Sequence, residues 1–128
     1  MKNVLKGLFF FEIEASTGPL IDIYETSKDL VFEVDLPGVD ISDISVKVYE
    51  DLLIIERDKN INNLRAPDDS KYLCMERSNK GFRRVLKIPI AVNTTSGEAF
   101  YNNGVLTIIF PKLKGRLINI NIKKTISP

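Results

Sequence analysis

The chain has 128 residues, 44% of them apolar and 27% charged, with a net charge of +1 at pH 7. That is one domain's worth of sequence with enough apolar side chains for a core, and it lacks both the composition of a disordered chain and the basic excess of a nucleic-acid binder. Histidine is absent and Cys74 is the single cysteine, which removes an intrachain disulfide, the usual zinc ligand sets and the Ser-His and Cys-His nucleophile pairs.

The first eighteen residues, MKNVLKGLFFFEIEASTG, place two lysines ahead of an apolar cluster. The run Leu8, Phe9, Phe10, Phe11 stops at Glu12, whereas an export signal needs an apolar core of about 7 to 15 residues. No stretch approaches the ~20 apolar residues of a membrane span. The expectation is a cytoplasmic protein without a membrane partner. The phenylalanine run reads in two ways, as a short element tucked onto its own core or as an apolar arm that contacts sister subunits or sticky partners.

From residue 30 the pattern has a period of two. Leu30, Phe32, Val34 and Leu36 fall on one face, Glu33 and Asp35 on the other, and Pro37-Gly38 ends the run, which is the mark of a half-buried strand. Ile44, Val46 and Val48 alternate with Ser45, Lys47 and Tyr49, and residues 52–55 are an unbroken apolar run; these are further strands. Residues 58–70 are polar, rich in Asn and Asp and interrupted by Pro67, hence a loop. Residues 71–76 read as a short strand or as surface loop. Cys74, between Leu73 and Met75, reads as a small apolar side chain in or beside a strand rather than an activated thiolate.

Phe82, Arg84, Leu86 and Ile88 then alternate onto one face before Pro89. An arginine in line with three apolar side chains is costly to bury unpaired. Arg84 is expected to meet an acidic side chain or backbone carbonyls near a subunit boundary, or else to sit solvated at a strand end. Residues 93–97 are a loop by composition. Asn103-Gly104 is the strongest turn signal in the chain, because a two-residue type I′ hairpin needs positive φ at both central positions. Ala99 and Tyr101 lead into it, Val105, Leu106, Ile108, Ile109 and Phe110 lead out, and Pro111, which cannot donate to a ladder, closes the second strand. Finally Ile118, Ile120 and Ile122 share one side of an extended chain, with Asn119 and Asn121 opposite, a row of knobs about 7 Å apart. This segment is either a last strand of the domain's own sheet or a tail that leaves it.

Three of these stretches, in this order, resemble the α-crystallin domain of small heat-shock proteins: Leu36-Pro37-Gly38-Val39 with the later Leu53-x-Ile55, residues 76–89 (ERSNKGFRRVLKIP), and Ala99-x-Tyr101-x-Asn103-Gly104-Val105-Leu106-x-Ile108 with Pro111-Lys112. The likeness covers residues 19–122. Three positions depart from it. Glu56-Arg57 stands where a glycine usually follows the Leu-x-Ile, Gly81 directly precedes Phe82 instead of lying one residue earlier, and Gly97 replaces a branched aliphatic residue.

The resemblance and the strand pattern imply an all-β fold, an immunoglobulin-like antiparallel β-sandwich of about seven to eight strands. The division is a short N-terminal arm (1–18), an α-crystallin domain (19–112) and a C-terminal extension (113–128). The implied activity is that of an ATP-independent holdase, binding unfolded client proteins from a homodimer that assembles further, with no catalytic residue, cofactor or metal. The family's arm is usually longer than eighteen residues, which leaves the subunit number open.

By the same resemblance, Lys71, Tyr72, Leu73, Cys74, Met75 and Glu76 form a strand that crosses to pair with residues 20–24 of a partner, with Arg84 near the contact. A groove formed by Val46, Val48, Ala99 and Tyr101 receives the Ile-x-Ile segment of a neighbour, in the Ile118/Ile120 or the Ile120/Ile122 register. Leu8, Phe9, Phe10 and Phe11 contact clients. The alternative is a co-chaperone or adaptor sandwich of the CS-domain type that binds one folded partner, against which the tail and the long 58–76 loop argue. Enzyme chemistry has no support, since Asp68-Asp69 and Asp40 with Asp43 read as turn formers.

Overall fold

The computed structural model describes the backbone of residues 12–14 and the whole of residues 18–58, 66–77, 81–114 and 118–126. Among them are eight strands: β1 (Glu12–Glu14), β2 (Ile21–Glu25), β3 (Asp29–Asp35), β4 (Ile44–Tyr49), β5 (Leu52–Arg57), β6 (Phe82–Lys87), β7 (Glu98–Asn102) and β8 (Val105–Pro111). They form two antiparallel four-stranded sheets, one in the order β1-β6-β5-β4 and the other in the order β2-β3-β8-β7. This is the sandwich that the alternation implied.

Period two does the sorting. On β3, Leu30, Phe32 and Val34 are buried, with Leu36 just beyond, and the register pairs Leu30, Phe32 and Val34 with Phe110, Ile108 and Leu106 of β8 on the same inner face. The rings of Phe32 and Phe110 meet edge to face at 6.0 Å, the arrangement their quadrupoles favour. Leu53 and Ile55 of β5, Leu86 of β6 and Ile88 complete the core from the facing sheet. Each such side chain contributes about 1.5–3 kcal/mol on burial, before the entropy of ordering it.

The hairpins follow their turn residues. Asn103 and Gly104 have φ of 52° and 78°, as a type I′ turn requires. The β4–β5 hairpin places Glu50 at φ 55°, a left-handed conformation that costs a non-glycine residue about 1 kcal/mol or more.

Two of the three departures from the family pattern have a physical account. β5 runs on through Arg57, whose side chain follows Leu53 and Ile55 into the interior, between Ile44 on β4 and Phe82 on β6 in the register. Arg57 is only 7% exposed, and its Nε has no hydrogen-bond partner among the described residues. Gly97 immediately precedes β7, and a Cβ added there would lie 2.6 Å from Cε1 of Phe110. The Phe110 ring fills the space that a branched side chain would otherwise take. β1, inside the segment read as an arm, pairs with β6; Leu8, Phe9, Phe10 and Phe11 lie outside the described residues.

Replacing Arg57→Met removes a buried, unsatisfied donor while keeping length, and should raise stability by about 1–3 kcal/mol. Thermal unfolding followed by circular dichroism should show a midpoint several degrees higher, and an unchanged or lower midpoint would contradict this. Gly97→Val drives a side chain into the Phe110 ring and should lower stability by about 1–3 kcal/mol in the same assay.

Candidate functional site

β4 is the outer strand of one sheet and β7 the outer strand of the other. The sheets do not pair across this boundary, so inward-facing side chains at the two edges are left partly uncovered. Ile44 and Val46 from β4, Ala99 and Tyr101 from β7, Leu36 and Leu106 between them and Ile41 from the 3-10 turn Ile41–Asp43 enclose a groove of 230 Å³. Its lining is apolar apart from backbone and the Tyr101 hydroxyl, which donates to the Leu36 carbonyl at 2.6 Å. That bond ties β7 to the end of β3. Asp40 caps the 3-10 turn, accepting from the Ser42 backbone N–H at 3.0 Å and from the Ser42 hydroxyl at 2.9 Å. These two donors hold its carboxyl below the ordinary aspartate range.

Of the residues named for a groove, Val46, Ala99 and Tyr101 are among its lining. Val48 shares their side of β4 but lies beyond the lining. Leu36, Ile41, Ile44 and Leu106 were not anticipated. Leu36 and Ile44 stood in the alternations already recognised, whereas Ile41 sits in a turn whose sequence carries no period.

The segment 71–76 forms no strand within the chain. Cys74 is an exposed free thiol, Leu73 is 93% exposed, and Tyr72 and Met75 are exposed as well. The Tyr72 hydroxyl accepts from the Ala66 N–H at 3.0 Å. The expectation of Cys74 in or beside a strand is not met within one chain. Its expected counterpart is open: β2 is the outer strand of its sheet, bonded among the described residues to β3 alone. On the outer face of that sheet the Tyr24 hydroxyl donates to Glu33 at 2.8 Å, which raises the Tyr24 pKa. Arg84 donates from Nη1 to the Pro19 carbonyl at 2.6 Å, so the backbone partner expected for it lies two residues before β2.

Residues 118–126 lie outside any strand or helix, with Ile118, Ile120 and Ile122 exposed by 70%, 87% and 98%. The reading of this segment as a last strand of its own sheet does not hold. No helix among the described residues is long and apolar enough to cross a membrane.

Three comparisons bear on this architecture. The model of the Hsp20/alpha crystallin family matches residues 22–126. A 17.8 kDa class I heat shock protein of Solanum lycopersicum is 35% identical over 102 residues, which are 79% of this chain and 65% of that protein, so the chain spans just under two thirds of this relative's length. Heat shock protein 16.0 from Schizosaccharomyces pombe superposes with a TM-score of 0.67 at 25% identity, covering 86% of this chain and 100% of that one. A small heat-shock protein from Xylella fastidiosa gives a TM-score of 0.66 at 25% identity and the same coverage.

Tyr101→Phe removes the bond to Leu36 and leaves that carbonyl at the groove wall short of a partner. The expected loss is about 1 kcal/mol, measurable by urea unfolding; unaltered stability would show that the bond does not hold the groove together.

Proposed function

This chain belongs to the Hsp20/alpha crystallin family, and from that premise we propose that it is an ATP-independent holdase that works from a homo-oligomer and binds non-native proteins. Family membership implies a chaperone role. The observation that carries the finer reading is that one chain holds both an open apolar groove and a row of exposed isoleucines it does not itself cover. An unpaired strand-like tail and a groove between two sheet edges are complementary by strand addition with apolar knobs.

Magnitude favours an exchangeable link. Two isoleucines leaving water contribute on the order of 3–6 kcal/mol before ordering costs, which leaves a single tail-to-groove contact at roughly millimolar affinity or weaker. Several such contacts in one assembly hold by effective concentration. When one opens, its groove is available to the apolar segments and unpaired strands of a damaged polypeptide, which lowers the free concentration that aggregates.

The dimer is built by the 71–76 segment of one copy adding to the open edge of β2 in the other. Both surfaces are exposed in the single chain, and strand addition satisfies their free backbone groups. Leu8, Phe9, Phe10 and Phe11 are assigned to client contact on their apolar composition.

The test is to heat an aggregation-prone model protein with this chain, without nucleotide, while following light scattering. Scattering should fall at stoichiometric amounts of chain, and the variant carrying Ile118→Ala, Ile120→Ala and Ile122→Ala should form smaller assemblies by light-scattering-coupled chromatography. Undiminished scattering with the wild type contradicts the holdase reading, as a strict monomer contradicts the assembly; an unaltered size in the triple variant contradicts the plug.

A further inference from the structure

The outer strands β2, β4 and β7 carry no buried residue, and a strand without buried side chains has little but its ladder to hold it. What differs among them is how their ends are fixed. The β2–β3 turn is closed by Thr26, whose hydroxyl accepts from the backbone N–H groups of Lys28 and Asp29 at 3.2 and 2.9 Å. β7 leads into Asn103-Gly104, residues that tolerate positive φ, and its Tyr101 hydroxyl is bonded to the Leu36 carbonyl. β4 has a penalty at each end. Its turn into β5 holds Glu50 at φ 55°, and at the far end Ile44 stands opposite Arg57, which is buried with its Nε unpartnered among the described residues. Lys47 meets Glu56 at 3.3 Å midway along the strand, a surface pair of the kind that contributes little. Both penalties are relieved when β4 leaves, because the guanidinium reaches water and Glu50 returns to ordinary dihedrals.

Beside β4 lie Leu53 and Ile55 of β5, both 0% exposed, next to Val48 and Val46 in the register. We propose that β4 is a displaceable cover and that the edge of β5, with Leu53 and Ile55, is a client site: when β4 peels away, an extended segment of a non-native polypeptide takes its place by strand addition. The proposal rests on the holdase reading above and adds to it a site distinct from the groove.

The register of β4 sets the chemistry of the occupant. Ile44, Val46 and Val48 face Arg57, Ile55 and Leu53, so the segment that refills their places is apolar at every second residue, about 7 Å apart. A folded protein has such strands already paired, whereas a non-native chain offers the apolar row and the unpaired backbone together.

Hydrogen exchange on the wild-type chain should find the β5 amides that bond to β4 exchanging at least 100-fold faster than the amides that link β3 and β8, and Arg57→Met should slow them about tenfold. In a Cys74→Ser background, Lys47→Cys/Ile54→Cys places two thiols opposite one another on the outer face of the sheet, so that oxidation locks β4 to β5 without altering the groove lining. The locked form should suppress the scattering of a heated, cysteine-free model protein at least fivefold less efficiently than the same protein after reduction, at an unaltered assembly size. Equal protection by locked and reduced forms overturns the client site and leaves the holdase reading intact. A lock that shrinks the assembly makes the tail of another copy the occupant and overturns the client site as well. Where the double variant fails to fold, the wild-type exchange rates decide: β5 amides no faster than those of β3 and β8 overturn the cover. A wild type that does not suppress scattering removes the holdase reading and this site with it.

Discussion

Two open sheets stacked face to face cannot cover their own edges, and that constraint governs this molecule. The inner faces of β3, β5, β6 and β8 bury one another, but β4 and β7 each have a neighbour on one side only. Ile44, Val46, Ala99 and Tyr101 follow the same inward alternation as the core and arrive at a boundary where, among the described residues, no strand covers them. An apolar groove rimmed by unpaired backbone is the physical result, and surfaces of that kind bind something or aggregate. The open edge of β2 is a second instance of the same constraint.

Much of this was legible in the residues. The alternation over 30–36, the Asn103-Gly104 turn and the Phe82, Arg84, Leu86, Ile88 row each describe a strand whose face and limits match the structure, because period two and turn chemistry are local properties. The groove was half legible. Tyr101 and Val46 sit on recognisable strands, but Ile41 reaches the groove from a short 3-10 turn capped by Asp40, and no local pattern reveals which turn residues a distant edge will need. The run of β5 through Arg57 was not decidable from spacing. The end of a strand depends on what the neighbouring strands offer, and here Ile44 and Phe82 flank it.

Gly97 shows the converse. It stands where the family pattern has a branched aliphatic residue, yet the space belongs to Phe110, thirteen residues later and one strand away. A long-range contact of that kind leaves no trace in nearby sequence. The tail shows how exposure resolves an ambiguity that periodicity leaves open, since three isoleucines on one side suit an internal strand and a plug equally well, and only their position outside both sheets separates the two.

The account stands or falls on whether the groove between β4 and β7 receives the isoleucine row of another copy. In a Cys74→Ser background, one batch of protein would carry Ala99→Cys and a second Ile120→Cys, and the two would be mixed under mild oxidation. A disulfide forms readily only where Cβ atoms approach to about 3.5–4.5 Å. The account predicts a covalent heterodimer of the two variants, with far less when Asn119→Cys, on the opposite side of the tail, replaces Ile120→Cys. Equal cross-linking from both tail positions, or none from either in variants that fold and assemble, would contradict it.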